Sequence, residues 1–190
     1  MRSLGFTHAV AGIVAGIVAG FFAALGASLA LAETTVAPVF TSVYTDLKRD
    51  CRNALKAVHA GQDMPLVCGG PNGYRLRIGY SAFAAHMRAE TADGHFAREL
   101  AAQPGDYVAG GAKIEWRLAD GAPFAAIVRV GRYRAVTEGG DPFDPRNRYG
   151  EALVIKGLKG FERIDAMVGA DGKTNANARA RTIADAGYRK

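Results

Sequence analysis

The chain has 190 residues, a formal net charge of +6 and 49% hydrophobic residues. A chain of this length forms one ordinary domain with at most an appendage, and its apolar content excludes disorder throughout. The 24 glycines indicate many turns. No motif in the sequence identifies a specific activity. The sequence does predict export, the fold class and a basic surface.

The first 32 residues have the layout of a secretory signal peptide. Arg2 precedes an apolar run over residues 9–31, and no acidic residue occurs before Glu33. The run ends in Ala30-Leu31-Ala32, the small-residue pattern that signal peptidase cleaves. The sequence therefore predicts cleavage after Ala32 and a periplasmic or secreted protein.

The alternative interpretation of this segment is a retained membrane anchor. The apolar run is long enough to span a bilayer. Gly12, Gly16 and Gly20 recur at every fourth position, a spacing found where membrane helices pack. With either interpretation, the chain from Glu33 onward lies outside the cytoplasm.

The exported part is predicted to be a flexible leader over residues 33–42 followed by a single domain over residues 43–190. The domain is expected to begin with an amphipathic helix over residues 43–59, because apolar side chains recur there at helical spacing. They are Tyr44, Leu47, Cys51, Leu55 and Val58.

The two cysteines, Cys51 and Cys68, are the only ones in the chain and both lie in the exported part. An even number of cysteines in an oxidising compartment predicts one disulfide. Zinc sites and redox pairs use cysteines or histidines in close pairs, and neither cysteine has such a neighbour. Metal binding and redox chemistry are therefore the weaker alternatives.

The next segments alternate between strands and turns. Residues 66–68 and 74–80 are predicted strands on either side of the turn cluster Gly69-Gly70-Pro71-Asn72-Gly73. Residues 82–89 fit either a strand or a helical turn. A short helix is expected around Phe96–Ala102.

The clearest local pattern is a β-hairpin. Residues 113–118 alternate, with Ile114, Trp116 and Leu118 facing inward. Asp120-Gly121 is a hairpin turn, and alternate residues over 124–130 again share an apolar face. Gly131 is expected to mark a bulge.

The last third of the chain predicts a loop, two strands and a helix. Residues 137–150 form the loop, and residues 152–155 and 163–168 form the strands. The final helix has a narrow apolar stripe, and Gly187 is expected to end it. The stripe consists of Ala176, Ala180, Ile183 and Ala184.

Together these elements predict an α+β fold. Its main part is an antiparallel β-sheet of six or seven short strands with a C-terminal helix. The sheet either forms a small barrel or sandwich, or packs one face against the helix.

Several segments in this order resemble a group of small secreted proteins of proteobacteria without an assigned function. The segments are Tyr44–Leu47 with Cys51, Cys68–Gly70 with Gly73-Tyr74, Lys113–Leu118, Asn175–Ala180 and Ile183–Asp185. The resemblance implies a fold and an exported location, and no functional residue. The relatives carry a further cysteine before the last strand, where this chain has Phe161-Glu162-Arg163-Ile164.

Candidate catalytic and metal sites are weak. His59, His86 and His95 lie nine or more positions apart, whereas metal ligands usually occur at close helical or strand spacing. Ser81 lies near His86 and Asp93 but lacks the G-x-S-x-G surroundings of a nucleophile. Asp141 and Asp144 are better explained by turn-forming Asp-Pro steps than by calcium binding. The sequence thus predicts no catalytic residue, no metal and no cofactor.

A basic surface is the most informative functional feature. Outward positions of predicted strands carry cations, and one tyrosine lies among them, so neighbouring strands would make one sheet face cationic. Phosphates, lipid headgroups or acidic glycans would be attracted to it. An ordinary solvated face is the simpler interpretation. The candidate binding residues are Arg75, Arg77, Lys113, Arg117, Arg132, Tyr133 and Arg134.

Three functions are compatible with these features. The first is a non-catalytic, exported domain that binds an anionic component of the cell envelope; no nucleic-acid-binding motif is present. The second is a proteinaceous inhibitor of a secreted enzyme such as a lysozyme, with the loop over 137–150 as its contact. The third is an envelope hydrolase that uses His86, Asp93 and His95.

Overall fold

Antiparallel strands make up most of the chain that the computed structural model describes, which is residues 37–53, 66–81, 84–100, 106–107, 113–134, 140, 144–172 and 175–190. These residues form eleven strands and one α-helix. They are β1 Phe40–Asp46, β2 Cys51–Asn53, β3 Leu66–Gly69, β4 Tyr74–Ser81, β5 Ala84–Thr91, β6 Ala97–Glu99, β7 Asp106–Tyr107, β8 Lys113–Ala119, β9 Ala122–Tyr133, β10 Arg148–Gly157, β11 Asp165–Gly169 and α1 Ala176–Tyr188.

The strands form two sheets. The central sheet has the order β1-β8-β9-β10-β11, with the short β7 paired to β9. The outer sheet has the order β2-β3-β4-β5-β6, in which each strand pairs with the next one along the chain. All these pairings are antiparallel, which confirms the predicted fold class. The described residues form eleven strands instead of the six or seven predicted.

The two sheets pack face to face around one apolar core. Alternation in β8 directs Ile114, Trp116 and Leu118 to this core, where they meet Leu76 and Met87 of the outer sheet. The indole N–H of Trp116 donates to Thr45 Oγ1 at 2.9 Å, and the Thr45 hydroxyl donates to the carbonyl oxygen of Gly69 at 2.7 Å. The sequence left open a barrel, a sandwich or a sheet with one face against the C-terminal helix. The structure is a two-sheet sandwich, and its central sheet also packs against that helix.

Helix α1 covers the opposite face of the central sheet. Ala176, Ala180 and Ala184 are fully buried against a second apolar cluster that includes Phe124 and Ile155. The central sheet is therefore buried on both faces, by the outer sheet and by α1. Small alanine side chains let the helix lie close to the strands.

Charged side chains on the helix-facing side of β8 meet opposite charges on α1. Arg181 Nε donates to Glu115 Oε1 at 2.6 Å, and Arg117 Nη2 donates to Asp185 Oδ2 at 2.7 Å. Two residues along a strand span about 7 Å and four residues along a helix span about 6 Å, so both pairs fit together. The reciprocal order of the charges sets the position of the helix along the strand.

The predicted hairpin and disulfide are confirmed. Ala119 pairs with Ala122 across the turn, and Asp120 and Gly121 have φ values of 49° and 82°, as a two-residue hairpin turn requires. Cys51 and Cys68 lie opposite each other on β2 and β3 and form a disulfide. The strands predicted at 66–68, 74–80 and 152–155 are present as well.

Two predicted helices are wrong where the structure describes them. The helix over 43–59 is replaced by β1, a turn and β2, and residues 54–65 lie outside the described residues. Leu47 and Cys51 both pack on the core, but from a turn and from a separate strand, so their helical spacing does not reflect a helix. The segment around Phe96–Ala102 contains strand β6 instead of the predicted helix, and residues 101–102 lie outside the described residues.

Smaller differences concern strand and helix ends. Strand β1 begins at Phe40, inside the predicted leader, and β10 begins at Arg148, inside the predicted loop. Among the described residues, bulges lie at Arg117/Leu118 and Arg148/Gly150. No bulge lies at Gly131, where one was predicted, because this residue pairs regularly with Glu151.

Gly187 does not end helix α1, which continues to Tyr188. A Cβ at this position would lie 2.7 Å from Ile164 Cγ1, so the glycine serves close packing. Ile183 of the predicted apolar stripe is 36% exposed.

Replacing Asp185 with Ala should destabilise the fold by about 2–3 kcal/mol, because Arg117 would keep a buried charge without its carboxylate. Replacing both residues, as R117M/D185A, should recover more than half of that loss. Urea denaturation measures both free energies of unfolding.

Glu151→Ala is the control for this measurement, since Glu151 and its partners Arg129 and Arg148 all have side chains that are 34–44% exposed. Its loss should cost less than about 1 kcal/mol. Equal effects of D185A and E151A would contradict a structural role for the buried pair.

Candidate functional site

The structure distributes the candidate binding residues over three places. Arg75 and Arg77 lie on β4 of the outer sheet. Lys113 and Arg117 lie on β8 of the central sheet, and Arg132, Tyr133 and Arg134 lie at or just after the end of β9. The seven residues therefore do not form one continuous cationic face.

Arg75 and Arg77 point away from the core and converge on one carboxylate. Arg75 Nε donates to Glu90 Oε1 at 2.6 Å, and Arg77 Nε donates to the same oxygen at 3.2 Å. Arg88 on β5 lies on the other side, with its Nε 3.4 Å from Glu90 Oε2. The Glu90 side chain is 7% exposed, whereas the three arginine side chains are 32–45% exposed.

Strand register brings a fourth arginine to this face. Arg52 pairs with Val67, Val67 with Arg77, and Arg77 with Arg88, so these residues form one row across β2 to β5. Neighbouring strands lie about 5 Å apart. We call Arg52, Arg75, Arg77 and Arg88, together with Glu90, the arginine face.

The arginine face keeps a net positive charge. Even with Glu99, which lies opposite Arg88 at the sheet edge, two carboxylates cannot neutralise four guanidinium groups. Burial would raise the pKa of Glu90, but the hydrogen bond from Arg75 and the charge of Arg77 outweigh it and hold the pKa below its usual value. Glu90 therefore stays ionised and orients the arginines at neutral pH.

Arg117 does not contribute to a binding surface. It is 6% exposed, its guanidinium pairs with Asp185, and its Nη1 donates to Ser42 Oγ at 2.8 Å. The sequence pattern correctly directs Arg117 away from the Trp116 side, but α1 covers the face on which it lies. Lys113 lies on the same face of β8, four residues before Arg117, and remains exposed.

The residues at the end of β9 form a separate basic and aromatic cluster. The guanidinium carbons of Arg132 and Arg134 lie 5.1 and 6.0 Å from the ring centre of Tyr149. Such distances allow cation–π attraction. Tyr133 is half-buried, while Tyr149 is 47% exposed. This cluster belongs to the central sheet and is not continuous with the arginine face along any described strand pairing.

The sequence prediction missed Arg52, Arg88 and Glu90. In β5, His86, Arg88 and Glu90 alternate with the buried Met87 and Ala89, a signal that would have identified them. Because residues 82–89 also fit a helical turn, this alternation does not by itself assign a strand. Arg52 was missed because the segment around it was predicted as a helix.

The candidate catalytic groups have ordinary structural contacts where they are described. Asp93 Oδ1 accepts hydrogen bonds from Thr91 Oγ1 at 2.5 Å and from the backbone N–H of His95 at 3.0 Å. Asp144 binds the side chain and backbone N–H of Arg146. His59 and Asp141 lie outside the described residues.

Within the described ranges, no three His, Cys, Asp or Glu side chains come together as a group that could hold a metal ion. The same part of the chain contains no helix long and apolar enough to cross a membrane. The disulfide is typical of chains that fold in an oxidising, exported environment.

Comparisons with known proteins add no relative: no family model, no curated protein and no solved structure matches this chain.

Glu90→Gln should lower the free energy of unfolding at pH 7 by about 1–2 kcal/mol, because the arginines lose charge-assisted hydrogen bonds in a partly exposed place. A carboxylate with a lowered pKa stabilises the fold fully above its unfolded-state pKa and loses this effect as the pH falls through its folded-state pKa. The difference between wild type and E90Q should therefore shrink below about pH 4.

Chemical denaturation at several pH values measures this difference. Glu99→Gln is the matched control on the same sheet, and it should change stability little at any pH because Glu99 is exposed. A constant difference between wild type and E90Q from pH 7 to pH 3 would contradict the ionised pairing.

Proposed function

We propose that this protein is an exported, non-catalytic domain that binds an anionic polymer of the cell envelope through the arginine face. The observation that carries this proposal is the set of four arginines on β2, β4 and β5, three of which one buried carboxylate orients without neutralising. Guanidinium groups bind phosphate and carboxylate groups through two parallel hydrogen bonds.

The shape of the arginine face favours an extended ligand. No described element covers this side of the outer sheet, and its cations lie about 5–10 Å apart on an open surface. A groove of about 450 Å³ between Arg52 and Arg75 indents one end of this surface. An array of cations along such a surface contacts repeated charges along a polymer better than it encloses one small molecule. Each contact is partly solvated, so affinity would come from several contacts together and would decrease with salt.

Export is the second part of the proposal. Arg2, the apolar run over residues 9–31 and Ala30-Leu31-Ala32 support a cleaved signal peptide. The Cys51–Cys68 disulfide supports folding in an oxidising compartment. The resemblance to small secreted proteobacterial proteins is consistent with the same location.

Binding to an immobilised anionic polymer such as heparin tests the arginine face. R88Q and R52Q should each elute at lower salt than wild type because a cation is lost, and E90Q should elute at higher salt because a negative charge is lost. The salt concentration at elution is the measurement.

Arg179→Gln is the control, since Arg179 is exposed on α1, on the other side of the central sheet. It removes the same charge and should leave the elution unchanged. If R179Q shifts the elution as much as R88Q does, retention depends on net charge alone and the proposal fails.

Cleavage after Ala32 would give a mature protein that begins at Glu33. Expression of the full chain in a bacterial host, followed by fractionation and intact-mass analysis, should give that mass in the periplasm or medium. Ala30 and Ala32 replaced by bulky residues should leave the full-length mass in the membrane fraction. A full-length mass for the wild-type chain would instead support the retained anchor.

A further inference from the structure

A cavity of about 240 Å³ lies between helix α1 and the central sheet. We call it the helix-side pocket. Ile127 and Leu153, each 3% exposed, supply its apolar lining. Its polar lining comes from Tyr44, Glu115 and Arg181 and from Lys113, Arg129 and Asn177. The arginine face belongs to the outer sheet, which packs on the opposite side of the central sheet.

The carboxylate of the pocket is already occupied by hydrogen bonds. Glu115 Oε1 accepts from Ser42 Oγ at 2.5 Å and from Arg181 Nε at 2.6 Å, and Glu115 Oε2 accepts from Arg181 Nη2 at 3.2 Å. Arg181 Nη2 also donates to the Tyr44 hydroxyl oxygen at 3.0 Å. The Tyr44 hydroxyl proton is therefore directed away from Arg181 and can be donated to a ligand.

On the other polar side of the pocket, acceptor oxygens are likewise occupied by hydrogen bonds within the protein. Arg129 Nη1 donates to Glu151 Oε2 at 2.9 Å, and Arg129 Nη2 donates to Asn177 Oδ1 at 3.4 Å. With Oδ1 accepting, the amide nitrogen of Asn177 remains a donor. Among the described residues, no carboxylate oxygen forms an ion pair with Lys113 at the pocket rim.

The pocket thus offers donors and positive charge to an occupant, because its acceptors are used within the protein. Glu115 is 8% exposed and holds Arg181, which is 38% exposed, in a fixed orientation beside the cavity. An oriented cation loses less conformational freedom on binding than a mobile one. A negatively charged group near Lys113, Tyr44 and Arg181 would be bound by groups that are already in place.

We propose that the helix-side pocket binds a small organic monocarboxylate, with the carboxylate at Lys113, Tyr44 and Arg181 and a short apolar body against Ile127 and Leu153. The volume is below that of pockets for drug-sized ligands, so the apolar body is limited to about one ring or a short chain. This site is independent of the arginine face, because the two lie on different sheets and share no residue.

Titration of the full-length, disulfide-bonded protein with benzoate, followed by ¹H–¹⁵N NMR, tests this proposal. Benzoate should give saturable shifts of backbone signals around Lys113, Ile127 and Asn177. Benzamide, which has the same shape without the charge, should bind at least tenfold more weakly. Inorganic phosphate, which has the charge without the apolar body, should also bind more weakly than benzoate.

Lys113→Gln should weaken benzoate binding about tenfold, the loss expected for one charge-assisted hydrogen bond. Lys113 is exposed, so this variant should keep the wild-type spectrum and stability. Arg179→Gln is the charge-matched control on the exposed side of α1 and should leave benzoate affinity unchanged.

Several outcomes would overturn the proposal. They are equal binding of benzoate and benzamide, unchanged affinity in K113Q, shifts located away from the pocket, and absence of binding up to about 20 mM benzoate. R88Q and E90Q distinguish the two sites, because they change retention on the anionic polymer and should leave benzoate binding unchanged.

Discussion

The burial of strand β8 on both faces is the constraint on which the rest of the structure depends. One face of the strand places Trp116 in the core between the sheets, and the other places Glu115 and Arg117 beneath helix α1. Buried charges are costly unless they are paired. The helix supplies Arg181 and Asp185, one turn apart and in the reciprocal order, so the same contacts neutralise the strand and position the helix.

This arrangement also creates the helix-side pocket. The side chains that pair across β8 and α1 are longer than the neighbouring alanines of the helix, Ala180 and Ala184, which pack on the second apolar cluster. Where the long, charged side chains meet, the helix and the sheet leave a cavity whose carboxylate, Glu115, is already hydrogen-bonded. The pocket and the buried ion pairs are thus two results of one packing requirement.

The same residue type has different roles on the two sheets. Arg117 is buried and structural because α1 lies over it, whereas Arg77 is one-third exposed because no described element lies over the outward face of the outer sheet. In both places a carboxylate orients the guanidinium. At Glu90, however, several arginines share one carboxylate, and the excess charge faces solvent. Coverage by a neighbouring layer, rather than residue type, decides which arginines can contact a ligand.

The sequence by itself determined those features that depend on residues close together in the chain. The β8–β9 hairpin follows from strict alternation on both sides of Asp120-Gly121, the disulfide from two cysteines in a segment predicted to be exported, and the C-terminal helix from the spacing of its alanines. The segment around Tyr44 and Cys51 misled the prediction because a turn and two short strands also place apolar side chains three or four positions apart. Only the tertiary structure decided which strands share a sheet and which face α1 covers. Alternation divides side chains between two faces, but residues distant in sequence determine what each face contacts, and these contacts separated Arg75 and Arg77 from Arg117 and Arg132.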